Sequence, residues 1–467
     1  MTKRLFLPLA TSLGLLAGCS LAPKYERPVA DIAATYPGVA TAVETQTDPA
    51  AAWGNRTEFF GDARINAIID LALEHNTDLQ VATLNVERVR ALYNIQRTAL
   101  IPTLNVDGSG SRQRTPGDVN GTGAPRTSST YAVVAEIPSY EVDFFGRVAS
   151  LRDQARAQFF ATEEAARSAR LILISSVARQ AYTVLALDEQ VELAQQTLTA
   201  ANETFELNQQ SFDAGVASEL DLRTAEAQRE SVRATLAELE QQRDQAHNAL
   251  TLLVGTPLPD DLPAATSLAS ATPVGDPPAG LPAELLTRRP DILAAEQTLI
   301  AANANIGIAR AAFFPSIRLT ANAGTASADL DGLFSSGSKT WAFTPSITVP
   351  IFAAGANRAR LNIANVEKRI EIVNYQSAIQ TAFREVADAL AVRRSIGVQI
   401  DAQSARVKAA AKRLELSQSR FDAGVDPYLN VLLAQQEHFA AQQALIQARL
   451  TSASNLAALY AALGGGA

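Results

Sequence analysis

One cysteine, one methionine and three histidines stand in 467 residues, and these scarcities exclude a good deal. A lone Cys19 allows no internal disulfide, so stability must come from packing. No Cys/His set with zinc-ligand spacing is present, and no glycine-rich phosphate loop precedes a helix. His75, His247 and His438 all fall in predicted helices, and no cluster sets a nucleophile beside a base, which argues against an enzyme and against a resident cofactor or metal. Basic charge is also in deficit, with 40 Lys and Arg against 48 Asp and Glu, which disfavours nucleic acid as a partner. Beyond the N-terminus no run of 18 or more apolar residues occurs, so any membrane role needs lipid or strands rather than a spanning helix.

What is present begins with an export signal over residues 1–18. Lys3 and Arg4 supply its positive region and Leu5 to Ala17 its apolar stretch. Leu16-Ala17-Gly18-Cys19 resembles a lipobox, the site of bacterial lipoprotein acylation and cleavage, so a covalent lipid on Cys19 is expected. Ser20 follows it, where an aspartate would retain the product at the inner membrane. Two or more acyl chains anchor a protein stably in outer-membrane lipid.

The chain is internally duplicated. Phe212-Asp213-Ala214-Gly215-Val216 recurs as Phe421 to Val425, an offset of 209. At an offset of 213, Asp78, Ala82, Ala91, Arg97 and Pro102 match Asp291, Ala295, Ala304, Arg310 and Pro315. The implied division is a lipidated extended segment 19–63, a first repeat 64–255, a connection 256–282, a second repeat 283–463 and a tail 464–467. The connection carries seven of the 21 prolines. Within each repeat, proline is missing over long stretches, Ser139 to Thr256 and Ile351 to Asp426. The first predicts nearly uninterrupted helix from Arg147 to Asp213, on the order of 100 Å long. Val177, Val184, Val191, Leu198, Phe205 and Phe212 stand seven apart, and the duplicate positions keep five of six apolar, which predicts coiled-coil hairpins. Gly215 and Gly424 can take the left-handed conformation that ends a helix.

Between the helices, four segments alternate with period two: about 103–113, 131–143, 316–324 and 340–352. The clearest sets Trp341, Phe343, Ile347, Val349 and Ile351 against Thr340, Thr344, Ser346 and Thr348. Such faces could cover a soluble core. Lengths near ten residues and an opposite face of Thr, Ser, Asn and charge favour tilted membrane strands around a wet lumen. Four strands leave unpaired edges, and membrane barrels start at about eight, so copies must combine. Three copies would give twelve strands, but these patterns do not separate two, three or four. Pro102, Pro138, Pro315 and Pro350 are predicted at strand–helix junctions.

The run LPAELLTRRPDILAAEQTLIAANANIGIARAAFFP, Leu281 to Pro315, resembles the signature of TolC-like outer-membrane efflux proteins, in the NodT lipoprotein branch that serves resistance-nodulation-division pumps. Tyr25-Glu26-Arg27-Pro28, Phe60-Gly61-Asp62, Tyr140 to Arg147 and both Phe-Asp-Ala-Gly-Val turns agree with it, and the likeness covers essentially the whole mature chain. The resemblance implies a mainly α protein with a small membrane β part: a homotrimer whose twelve-strand barrel continues into an α-helical barrel, constricted at its periplasmic tip. It also implies a periplasmic adaptor and an inner-membrane transporter as partners. The tip would lie at the two helix turns, with Asp213, Gly215, Asp221, Asp422, Gly424, Asp426, Tyr428 and Leu429. On a threefold axis each aspartate becomes a ring of three carboxylates able to select cations and raise one another's pKa. Relatives often carry Leu-Leu-Asp-Ala-Gln after the second turn, whereas this chain reads Leu432-Leu433-Ala434-Gln435. With that charge missing, Leu429 or Tyr428 could instead form an apolar constriction.

The function this implies is a passive outer-membrane exit duct for small molecules such as drugs. Ducts for secreted proteins or metal cations are rivals, as is a structural coiled-coil lipoprotein. The tether leaves four amphipathic strands without a purpose. The loss of Met1 with the signal weakly opposes a thioether pathway for soft metals.

Overall fold

The computed structural model describes residues 20–29, 32–33, 36, 56–264, 267–270 and 288–465. The export signal, Cys19 and most of the proline-rich connection lie outside the described residues. In chain order the elements are α1 (Arg56–Phe60), α2 (Ala63–His75), α3 (Thr77–Thr98), β1 (Asn105–Thr115), β2 (Arg126–Val142), α4 (Arg147–Asp213), α5 (Glu219–Val254), α6 (Pro290–Ala311), β3 (Ser316–Ser327), β4 (Lys339–Thr348), α7 (Ala356–Asp422) and α8 (Tyr428–Ala462). The segment expected to be wholly extended before residue 63 contains α1, because Phe59 and Phe60 pack on Tyr460 at ring centroid distances of 4.9 and 5.3 Å. Burying three aromatic rings offsets the cost of ordering one helical turn.

The two repeats interleave. One compact unit takes Met1–Val29, Val86–Thr162 and Ala294–Tyr375, and the other Ala30–Asn85, Glu163–Leu293 and Gln376–Ala467. The repeat boundary is therefore not a spatial boundary. The reason is visible in the first unit, a four-stranded antiparallel sheet of order β1-β2-β3-β4, where β2 of the first repeat pairs with β3 of the second. Neither repeat can complete its own sheet. Registers run from Asn105 opposite Glu136 to Thr115 opposite Arg126, and from Ser316 opposite Thr348 to Thr325 opposite Lys339. Observed strands differ from the periodicity-based spans. β2 starts five residues earlier, at Arg126, and β3 runs on to Ser327, because ladder bonds extend pairing into polar residues that carry no apolar signal. β4 ends at Thr348, just ahead of Pro350.

In the second unit the core gathers Ile65, Ile68, Ile69 and Ala72 of α2, Val177, Ala178 and Tyr182 of α4, Leu250 and Val254 of α5, and Ala453, Ala457 and Tyr460 of α8. Part of α4 is long and apolar enough to cross a membrane, yet over half of that window is buried inside the protein, as a core helix requires. The heptad seam is buried at Val177, Val184 and Val191 and opens progressively through Leu198 and Phe205 to an exposed Phe212. The α4–α5 hairpin is therefore tightly packed at its base and loosely packed at its turn.

Candidate functional site

The sheet and the helix turns are the two candidate sites, and each is built from local sequence. On the sheet, Val106 of β1 and Trp341, Phe343 and Ile347 of β4 are exposed, Trp341 at 78%. Large apolar side chains on an edge strand in water would invite aggregation; in a bilayer they are the contact surface. β1 and β4 are the outer strands of the sheet, so their outward backbone groups have no strand partner among the described residues. Three of the four prolines lie between a helix and a strand: Pro102 between α3 and β1, Pro315 between α6 and β3, and Pro350 between β4 and α7. Pro138 does not. It lies inside β2, where the register with β3 shifts between Ile137 and Tyr140, and its carbonyl accepts a hydrogen bond from Thr320 Oγ1 at 3.1 Å. A residue without an N–H is tolerated in a bulge because no ladder bond is demanded of it there.

The two helix turns share one backbone plan. In the first, Gly215 N–H donates to Phe212 at 2.8 Å and Val216 N–H to Ser211 at 2.9 Å; in the second, Gly424 and Val425 donate to Phe421 and Arg420 at 2.8 and 2.9 Å. Gly215 and Gly424 have φ of +72° and +69°, the left-handed region that only glycine enters without strain.

The carboxylates of both turns are committed within this chain. Asp213 and Asp422 each accept from a glutamine one helical turn back, Gln209 and Gln418, both at 2.9 Å. Asp221 forms a capping box with Ser218 that closes the start of α5. Asp426 takes both arms of the Arg420 guanidinium at 2.6 and 3.0 Å. Any ring of carboxylates at Asp426 would therefore carry its own counter-charge, since Arg420 of the same chain is bonded to it. Tyr428 departs from the expectation. It is 5% exposed, packed with Ala225, Val431 and Leu432 and 5.6 Å from the Phe421 ring, so it is a core residue of the hairpin and cannot face a lumen. Leu429 is 53% exposed and remains available for an apolar constriction.

Arg420 escaped the sequence reading, although a signal was there. At the 209 offset, Ser211 and Ala217 become Arg420 and Asp426, an opposite-charge pair gained together, while Ser218 becomes Pro427 and takes the capping box away. The first turn is closed by a capping box and the second by an ion pair. Arg420 holds the Asp426 carboxyl below its ordinary value of 3.8 by hydrogen bonding and charge. A depressed folded value means the contribution is present above the ordinary value and is lost as pH falls through the folded one. Protection of the Val425 and Asp426 amides from hydrogen exchange should therefore hold between pH 7 and 5 and weaken only below about 3.8. In Arg420→Gln protection should already be weaker at pH 7 and the fall in acid should be largely gone; identical profiles would show that the pair does not hold the turn.

Among the described residues no group of three or more His, Cys, Asp or Glu could hold a metal ion. Comparisons with known proteins agree with the architecture. Residues 68–256 and 281–465 each match the outer membrane efflux protein family. The chain is 47% identical to the solvent efflux pump outer membrane protein SrpC of Pseudomonas putida, over 97% of both chains. It is 40% identical to the outer membrane protein OprJ of Pseudomonas aeruginosa, over 97% of this chain and 94% of that one. Its fold superposes on the open state of the Neisseria gonorrhoeae MtrE outer membrane channel with a TM-score of 0.87 at 41% identity, covering 96% of this chain and 98% of that chain. A likeness that spans both repeats and nearly the full length of each relative makes the assignment: the chain belongs to the outer membrane efflux protein family.

Proposed function

We propose that this outer-membrane efflux protein is the passive exit duct of a tripartite pump, assembled from three copies whose sheets close a twelve-strand barrel. The observation that carries this reading is the four-stranded sheet with outward apolar side chains and two outer edges. A bilayer does not tolerate unpaired edges, so β1 of one copy must meet β4 of the next. Transport energy then comes from an inner-membrane resistance-nodulation-division transporter, and a periplasmic adaptor opens the tip. Val216, Leu220, Val425 and Leu429 are exposed apolar residues at the helix turns and offer that adaptor a surface. Cys19 carries the lipid that adds to membrane attachment. The cargo is small and apolar, in keeping with the solvent and antibiotic pumps to which the relatives' names assign them.

Detergent-purified protein placed in planar bilayers, with its mass measured on the same sample, tests the reading. Discrete conductance steps from a trimer are expected, with a cation preference that follows the acidic composition. A non-conducting monomer would overturn it and restore the structural tether.

A further inference from the structure

Two sequence motifs with no part in the duct meet in the first unit. The extended strap of residues 20–29 carries Tyr25-Glu26-Arg27-Pro28, and α6 carries Glu296. Glu296 is 5% exposed, and its carboxylate accepts Arg27 Nε at 2.7 Å, Arg27 Nη2 at 2.8 Å and the Tyr25 hydroxyl at 3.0 Å. Burial and the neighbouring carboxylate both push the Tyr25 phenol up, which keeps its proton in place as a donor. The contacts then continue along one face of α6. Asn303 Nδ2 donates to the Pro23 carbonyl at 2.8 Å, and Arg310 Nη1 donates to the Leu21 carbonyl at 3.0 Å. Gly307 lies so close that a Cβ there would stand 2.9 Å from the Ala22 nitrogen and 2.6 Å from Ser150 Oγ.

The spacings match. From Glu296 to Arg310 the helix rises about 21 Å, and an extended strap covers about 20 Å from Leu21 to Arg27. The strap therefore lies antiparallel to the helix in one register, with each polar contact in step.

We propose that this face of α6 is an intramolecular receptor for the strap, with the Glu296 carboxylate as its lock. The receptor holds the N-terminal end beside the last turn of α6, immediately before β3. The lock joins the N-terminal strap to the second repeat, across 269 residues of chain. Leu21 is two residues, about 7 Å of chain, from Cys19. The lock itself stands without the lipid proposed on Cys19.

Lys24 is exposed and is a trypsin site, whereas Pro28 protects the bond after Arg27. In the full-length protein, cleavage after Lys24 should be slow. Glu296→Gln and Arg27→Ala should each accelerate it by about tenfold or more, the effect of losing a charge-assisted bidentate pair. The double variant should be no faster than either single one. Cleavage at the wild-type rate in both single variants, or effects that multiply, would overturn the proposal. If Glu296→Gln does not accumulate, Gly307→Ala displaces the strap without touching the carboxylate and should give the same acceleration. Conductance measured on the same samples separates the two readings: conducting channels with an unchanged cleavage rate reject the lock and leave the duct standing.

Discussion

Replacing Gly324 by valine is expected to abolish assembled, membrane-embedded protein. Gly324 sits in β3 opposite Val134, and a Cβ at that position would stand 2.2 Å from the Val133 carbonyl oxygen and 2.6 Å from the Val134 Cα. Both are backbone atoms, so no side chain can swing aside and the two strands must separate. Overpacking commonly costs about 1–3 kcal/mol, and a clash with backbone in the middle of a ladder belongs at or beyond the upper end. The contact also joins the two repeats, so its loss opens the sheet where the duplication is stitched together. Gly108 in β1 provides the contrast, since nothing lies within 4 Å of a Cβ there. Gly108→Val should leave assembly unchanged or improve it slightly, because valine favours a strand. The amount of heat-modifiable, detergent-extracted oligomer in outer-membrane fractions reads both variants. Equal yields from the two would show that strand spacing at Gly324 is not limiting.

Gly255→Ala should be nearly as severe, and for a different reason. Gly255 caps α5 with φ +83° and its N–H on Thr251 O, and a Cβ there would stand 2.4 Å from the His75 carbonyl oxygen. The left-handed conformation alone costs an L-residue about 1–2 kcal/mol. The collision adds to this, because the neighbouring backbone is itself tied down: Asn76 Nδ2 donates to Leu253 O at 2.8 Å. Gly424→Ala separates the two contributions. It carries the same backbone penalty at φ +69° with no atom within 4 Å, so it should lose only about 1–2 kcal/mol. Thermal unfolding of the purified proteins should therefore rank Gly255→Ala well below Gly424→Ala. Matching midpoints would show that the α2–α5 contact is soft.

Much of the architecture was legible because it repeats. Heptad spacing from Val177 to Phe212 and alternation from Trp341 to Ile347 are periodicities of one element, and a residue's face follows from its position in the period. The duplicated turns were legible for a related reason, since a glycine between two long proline-free stretches leaves a helix few other places to reverse. Features that join distant parts of the chain were not legible. Pro138 reads like the other three prolines, and only the pairing of β2 with β3 reveals a bulge that lets the strand run past it. Asp213, Asp221, Asp422 and Asp426 look alike as letters. Which of them is bonded to a glutamine, a cap or an arginine depends on backbone direction at each turn. Tyr428 reads as a tip residue by number and proves to be core by packing.

The sequence alone determined the types of the long elements, the duplication and the two turns, because these depend on local propensity and on periods of 2 and 3.5 to 3.6 residues. The tertiary structure alone decided the partners: the strand that joins the repeats, the neutralised Asp426, the buried Tyr428 and the carboxylate that holds the strap. Those outcomes depend on which groups lose water together and on whether a complementary group lies within about 3 Å, and a linear order of residues does not contain that distance.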